Sequence, residues 1–107
     1  MNQRRLAAIL SLDVVGFSRM MQGGTKPLLK TLNTLYRDLV TPIVKQNSGR
    51  VVKLLGDGAL IEFPSAGQAL EVAVAIQTDL RQPDHPYLVP ERIQLRAGLH
   101  VGDVTVD

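Results

Sequence analysis

The chain predicts an α+β sandwich, an antiparallel sheet with helices packed on one face. Three observations carry that expectation. Residues 6–15, "LAAILSLDVV", are almost continuously apolar, as a strand covered on both faces is. Two further apolar runs, "RVVKLL" and "ALIEF", flank Gly56-Asp57-Gly58 and read as a β-hairpin. Between these runs lie segments with helical periodicity, and a clean two-residue alternation follows them.

Each element has its own signature. After the first strand, Gly16 breaks the pattern and "FSRMM" makes a short helical turn. Over residues 25–49, apolar side chains recur at Leu28, Leu29, Leu32, Leu35, Tyr36, Leu39, Val40, Ile43 and Val44, the period of a helix. Pro27 fits the first turn of that helix and Gly49 falls just past its end, while Pro42 should kink or split it. Asp-Gly between the hairpin strands is a strong tight-turn signal, with positive φ expected in a type I′ turn. Ser65 and Gln68 form a capping box for the next helix, which shows Ala69, Leu70, Ala73, Ile76 and Leu80 on one side. "RQPDHPYLVPE" carries three prolines and reads as a loop. In "RIQLRAGLHVG", Ile93, Leu95, Ala97, Leu99 and Val101 face one way, and Gln94, Arg96 and His100 the other. Gly102-Asp103 then looks like a turn, with "VTVD" the start of an extra strand. The order β-α-β-β-α-β is that of a ferredoxin-like sandwich, and residues 1–107 form one domain.

Composition limits the partners. Hydrophobic residues make up 45% of 107, enough for one core and too many for a disordered chain. The net charge is only +2, the basic residues are scattered, and aromatics are 4%, which disfavours a nucleic-acid groove. Cysteine is absent, so disulfides and thiolate metal sites are excluded, as suits a reducing cytoplasm. The apolar run near the N-terminus meets Asp13 too early for a signal peptide or a membrane span. A soluble, cytoplasmic domain is expected.

Asp13 is the residue out of place. A carboxylate ending a buried strand must be paired, hydrogen-bonded, metal-bound or near water. In this topology the end of strand one approaches the hairpin tip, which brings Asp13 toward Asp57. Two adjacent carboxylates repel unless a cation lies between them. Two oxygen ligands supplemented by phosphate oxygens suit Mg²⁺. The glycine turn in "VVGFS" exposes backbone N–H groups that can cradle a phosphate.

Taken together, "RRLAAILSLDVVGFSRMM", "GRVVKLLGDGALIEFPS" and "RAGLHVGDV" resemble the class III adenylate/guanylate cyclase catalytic domain across essentially the whole chain. The resemblance implies that Asp13 and Asp57 bind a pair of Mg²⁺ or Mn²⁺ ions, with the Val14 carbonyl as a backbone ligand. It implies that Gly16, Phe17 and Ser18 wrap the triphosphate and that Lys53 reads the purine. Lysine there resembles adenylate cyclases, where guanylate cyclases typically carry glutamate. An ammonium donates to adenine N1 but cannot accept from the guanine N1–H. The implied reaction converts ATP to 3′,5′-cyclic AMP and pyrophosphate by a two-metal displacement, for signal transduction. The implied assembly is a homodimer with shared sites, aspartates from one subunit and lysine from the other.

The family continues beyond the last of these motifs into a second purine contact and an Asn-x-x-x-Arg pair. The string Asn33 to Arg37 has that spacing but lies in the wrong element. Losing electrostatic stabilisers of phosphate charge costs about 10²- to 10³-fold in rate. The expectation is therefore a domain incomplete at its C-terminus, with little or no turnover alone. The alternative is a catalytically incomplete module that binds metal–nucleotide or only its dimer partner. A diguanylate cyclase is disfavoured, because "LLGDGAL" stands where that family has its Gly-Gly-Asp/Glu-Glu-Phe turn. Neither His100, on the polar strand face, nor Arg96 beside it is assigned a role.

Overall fold

The computed structural model describes residues 3–22, 25–55, 57–82, 88–89 and 91–106. Strand β1 (Gln3–Val14) leads through α1 (Phe17–Gln22) into α2 (Thr25–Leu35), a π turn (Tyr36–Val40) and α3 (Thr41–Gln46). The hairpin β2 (Arg50–Leu55) and β3 (Gly58–Phe63) follows, then α4 (Ala66–Leu80), the two-residue strands β4 (Leu88–Val89) and β5 (Glu91–Arg92), and β6 (Leu95–Val106). The main sheet has the order β2-β3-β1-β6 with every neighbouring pair antiparallel. This is the ferredoxin-like α+β arrangement that the element order predicts. No helix among the described residues is long and apolar enough to cross a membrane.

One face of the sheet makes the core. Ala8, Leu10 and Leu12 of β1 pair with Phe63, Ile61 and Ala59 of β3, and all six are buried. Leu28, Leu32, Leu35, Val40 and Val44 pack onto them from the long helical segment, and Ala69, Val72, Ile76 and Leu80 from α4. Steps of three and four residues put these α4 side chains on one stripe. Leu70 lies outside that stripe and is exposed, contrary to the face read from the sequence. Ser65 caps α4 by accepting from the Gln68 N–H at 3.2 Å, and its hydroxyl donates to Gln68 Oε1 at 2.8 Å.

Pro42 neither breaks nor ends its helix. The turn before it widens to the π register, in which the Thr41 N–H reaches back to the Tyr36 carbonyl. Proline has no N–H to give, and the wider turn absorbs the mismatch within one continuous helical path. The segment closes with Ser48 at φ 61° and the Gly49 N–H bonded to the Val44 carbonyl at 2.9 Å. Gly49 is needed for space: a Cβ there would lie 2.5 Å from the Phe63 ring.

The C-terminal end departs from expectation. Gly102 and Asp103 do not turn; they continue β6 and pair with Ala7 and Leu6. Residues 104–106 are thus the end of β6, not the start of an extra strand. The cause is the length of β1, which begins at Gln3 and offers β6 a partner through all twelve residues. Alternation in β6 is as read, but Leu99 and Val101 stay exposed on this edge strand while their partners Leu10 and Ala8 on β1 are buried. The expected loop contains the short β4–β5 ladder; its residues 83–87 and 90 lie outside the described residues, as does Gly56 of the hairpin turn.

Candidate functional site

Register brings the two aspartates together. In the β1–β3 ladder Leu12 faces Ala59, so continuing the pairing sets Asp13 against Gly58 and Val14 against Asp57. The Asp57 carboxylate takes the ladder bond there: the Val14 N–H donates to its Oδ2 at 3.2 Å. Gly58 makes the approach possible. A Cβ at this position would collide with the Leu12 carbonyl oxygen and press on the Asp13 Cα. The glycine after the aspartate therefore serves close packing of two backbones.

Asp13 lies on the sheet face away from the helices, half-exposed, directly across from Arg96 of β6. Arg96 grips it with two bonds, Nε to Oδ1 at 3.0 Å and an Nη to Oδ2 at 3.2 Å. The guanidinium is held still more firmly in its charged form, first by that hydrogen bond, then by the charge of Asp13, with a smaller share from Asp57. Arg96 thus senses both carboxylates. The sequence reading gave it no role; its place on the polar face was legible, but its partner needed the β1–β6 register.

Tyr36 is the second addition. Its hydroxyl donates to the Asp57 backbone carbonyl at 3.4 Å. Burial, then the charge of Asp57, then that of Asp13, pushes the phenol up to about 12, so it stays a neutral donor at ordinary pH. The helical segment is tied through this bond to the hairpin tip.

The other predicted residues fall in two places. Gly16, at φ 70°, turns the chain from β1 into α1, and its carbonyl accepts the Met20 N–H at 3.0 Å. Phe17 and Ser18 open that six-residue helix, with Phe17 partly buried against the core and Ser18 exposed. This turn immediately follows Asp13 and Val14. Lys53 is elsewhere. It is exposed on β2, opposite Leu60, which in turn faces Ser11. That is two strands from Asp13, about 10 Å in the hydrogen-bonding direction. A register shift between Val51 and Lys53, which the clean hairpin pattern did not foretell, sets its side. One copy of the chain does not bring Lys53 to the aspartate pair.

The donor set fits a hard divalent cation in part. Asp57 uses one carboxylate oxygen on a backbone N–H, and Asp13 is organised by a cation already, the guanidinium of Arg96. No group of three or more His, Cys, Asp or Glu suited to a metal occurs among the described residues. Two carboxylates must then be completed by ligand oxygens, as Mg²⁺ tolerates.

No protein-family model matches the chain. It is 39% identical over 105 residues to a Rhizobium meliloti (strain 1021) protein provisionally named adenylate cyclase 3, covering 98% of this chain and 18% of that protein. It is 33% identical over 105 residues to an adenylate cyclase of Streptomyces coelicolor, covering 98% of this chain and 26% of that protein. A crystal structure of an adenylate/guanylate cyclase/hydrolase from Silicibacter pomeroyi superposes with a TM-score of 0.86 at 36% identity, over 100% of this chain and 62% of that one. The guanylyl cyclase Cya2 shares the fold, at a TM-score of 0.83 and 23% identity, over 99% and 58% of the two chains. The chain thus spans about a fifth to a quarter of the two curated relatives.

Proposed function

These 107 residues belong to the class III adenylate/guanylate cyclase domains, and on that premise we propose that they form part of a site converting ATP to 3′,5′-cyclic AMP and pyrophosphate. The observation that carries the reading is the meeting of Asp13, Asp57 and Arg96 at one rim of the sheet, beside the Gly16 turn. Asp13 and Asp57 would hold the divalent cations, Mg²⁺ or Mn²⁺, with the Val14 carbonyl as a further ligand. When bound, such ions polarise phosphoryl oxygens and ease loss of the ribose hydroxyl proton. The backbone N–H groups of Gly16, Phe17 and Ser18 serve the triphosphate, and Arg96 offers a planar pair of donors to a phosphate oxygen once it leaves Asp13.

Lys53 carries the preference for adenine, because an ammonium donates to adenine N1 and cannot accept from the guanine N1–H; relatives named adenylate cyclase and neighbours named guanylyl cyclase both occur. Its distance from the aspartates within one copy supports a homodimer in which each site takes its lysine from the partner. The second reading is a module that binds metal–nucleotide or its own second copy without turnover. The same separation favours it, because a single copy holds only half of such a site.

Calorimetry with Mn²⁺ and a non-hydrolysable ATP analogue tests the metal claim. Asp13→Ala and Asp57→Ala should each weaken binding by about tenfold or more. Unchanged affinity in both variants would refute it. Cyclic nucleotide formation by this chain, read as cyclic AMP from ATP and cyclic GMP from GTP, separates enzyme from module and tests Lys53.

A further inference from the structure

A groove of about 910 Å³ lies between the long helical segment and β2, the edge strand of the sheet, and ends at Gly58 beside the acidic rim. Leu32, Tyr36, Val44, Val51 and Leu54 give it apolar walls. Asn33, Arg37, Thr41 and Lys45 form one polar lip at four-residue steps. Among the described residues, no acidic side chain lines it. Arg37 is engaged by Asp38 at 2.8 Å, whereas Lys45 pairs with no acid among the described residues. The groove sits at the π turn, bounded by Tyr36 and Arg37 within it and by Thr41 and Pro42 just after it. Wide turns of this kind occur frequently at functional sites.

We infer that this groove binds a small apolar organic anion, its body against the Leu32, Val44 and Leu54 walls and its charge toward Lys45. Apolar walls with few polar groups and a volume within about 300–1,000 Å³ are the usual form of a small-molecule site. Mixed charge would suit a zwitterion; with Arg37 held by Asp38 and Arg50 of the lining held by Glu62, the lip presents Lys45, whose charge selects an anion. Occupancy reaches the hairpin tip by two routes. Tyr36 lines the groove and donates to the Asp57 carbonyl, and Leu54 and Gly58 of the lining flank the turn itself. A bound anion therefore shifts the affinity of Asp57 for a divalent cation, a step that rests on the metal reading above.

Titration of the metal-free chain with 1-pyrenebutyrate, followed by fluorescence anisotropy, tests the groove. The carboxylate should bind about fivefold more tightly than 1-pyrenebutanol, the effect of one charge contact in water. Leu54→Glu, at a side chain 66% exposed and so tolerant of change, should weaken 1-pyrenebutyrate by about tenfold or more by setting a carboxylate against it. Lys45→Glu should erase the preference for the carboxylate over the alcohol. Absence of binding, equal binding of the two probes, or an unchanged affinity in Leu54→Glu with native circular dichroism each overturns the groove. A Mn²⁺ titration with and without 1-pyrenebutyrate then reads the coupling, which should weaken in Tyr36→Phe while probe binding persists. A Mn²⁺ midpoint unmoved by the probe in the parent chain refutes the coupling alone. Failure of Mn²⁺ to bind even with the non-hydrolysable ATP analogue present refutes the metal reading and the coupling together, and leaves the groove standing on its own titration.

Discussion

Gly58→Ala is the sharpest test of how the rim is built. The new methyl group would meet the Leu12 carbonyl oxygen and crowd the Asp13 Cα, both backbone atoms of a central strand with no rotamer to yield. β1 and β3 must separate at that end, and overpacking of this kind costs about 1–3 kcal/mol. The Val14 N–H to Asp57 bond spans the same gap, and its loss adds about 1 kcal/mol. The sum, about 2–4 kcal/mol, is a large share of the roughly 5–15 kcal/mol that holds a domain of this size. Urea unfolding followed by circular dichroism should show it, with Tm lower by at least about 10 °C in a parallel melt. Gly67→Ala is the control. Its added methyl meets nothing closer than Ser65 Oγ at 3.9 Å in the first turn of α4, and removing a helix glycine should stabilise by about 0.5–1 kcal/mol. If Gly58→Ala unfolds with the parent while Gly67→Ala behaves as stated, the close approach of the two strands is not what the aspartate pair depends on.

Three further outcomes follow from the same geometry. Tyr36 has its phenol raised from 10.0 to about 12 in the fold, so its contribution to stability is complete below pH 10 and is lost as pH climbs toward 12. For a partly exposed ring that amounts to about 1–2 kcal/mol, and Tyr36→Phe should flatten the fall in unfolding free energy between pH 10 and 12. Arg96→Ala frees Asp13 of a competing cation, so the midpoint of a Mn²⁺ titration without nucleotide should move to lower concentration; a midpoint that moves higher would mean that Arg96 aids metal binding by orienting Asp13. Ser65→Ala removes the cap of α4 and should cost about 1 kcal/mol in the same urea assay, with Ser65→Gly close to the parent.

What the residues disclosed and what they withheld divides along one physical line. Features set by a side chain and its near neighbours along the chain were legible: the capping Ser65, the helical stripe from Leu28 to Val44, the hairpin around Asp57, the helical turn after Gly16. Of the features set by register across strands, only the approach of Asp13 to Asp57 was read, from the topology; the rest were not. Nothing near Arg96 in the sequence names Asp13 as its partner, because the pair is 83 residues apart and exists only once β1 and β6 align. The length of β1 decided that alignment, and the same length carried β6 through Gly102-Asp103, where local turn chemistry pointed to a stop. A ladder already paired on one side outweighs a local preference, since breaking it would expose backbone groups that the partner strand satisfies. Pro42 follows the same logic inside a helix, where tertiary packing of Leu39, Val40 and Val44 holds the path and the backbone answers with a wider turn instead of a break. That answer places Tyr36 where it lines a groove on one side and holds the Asp57 carbonyl on the other. A proline that looked like a flaw in a helix is thus part of how the helical layer reaches the acidic rim.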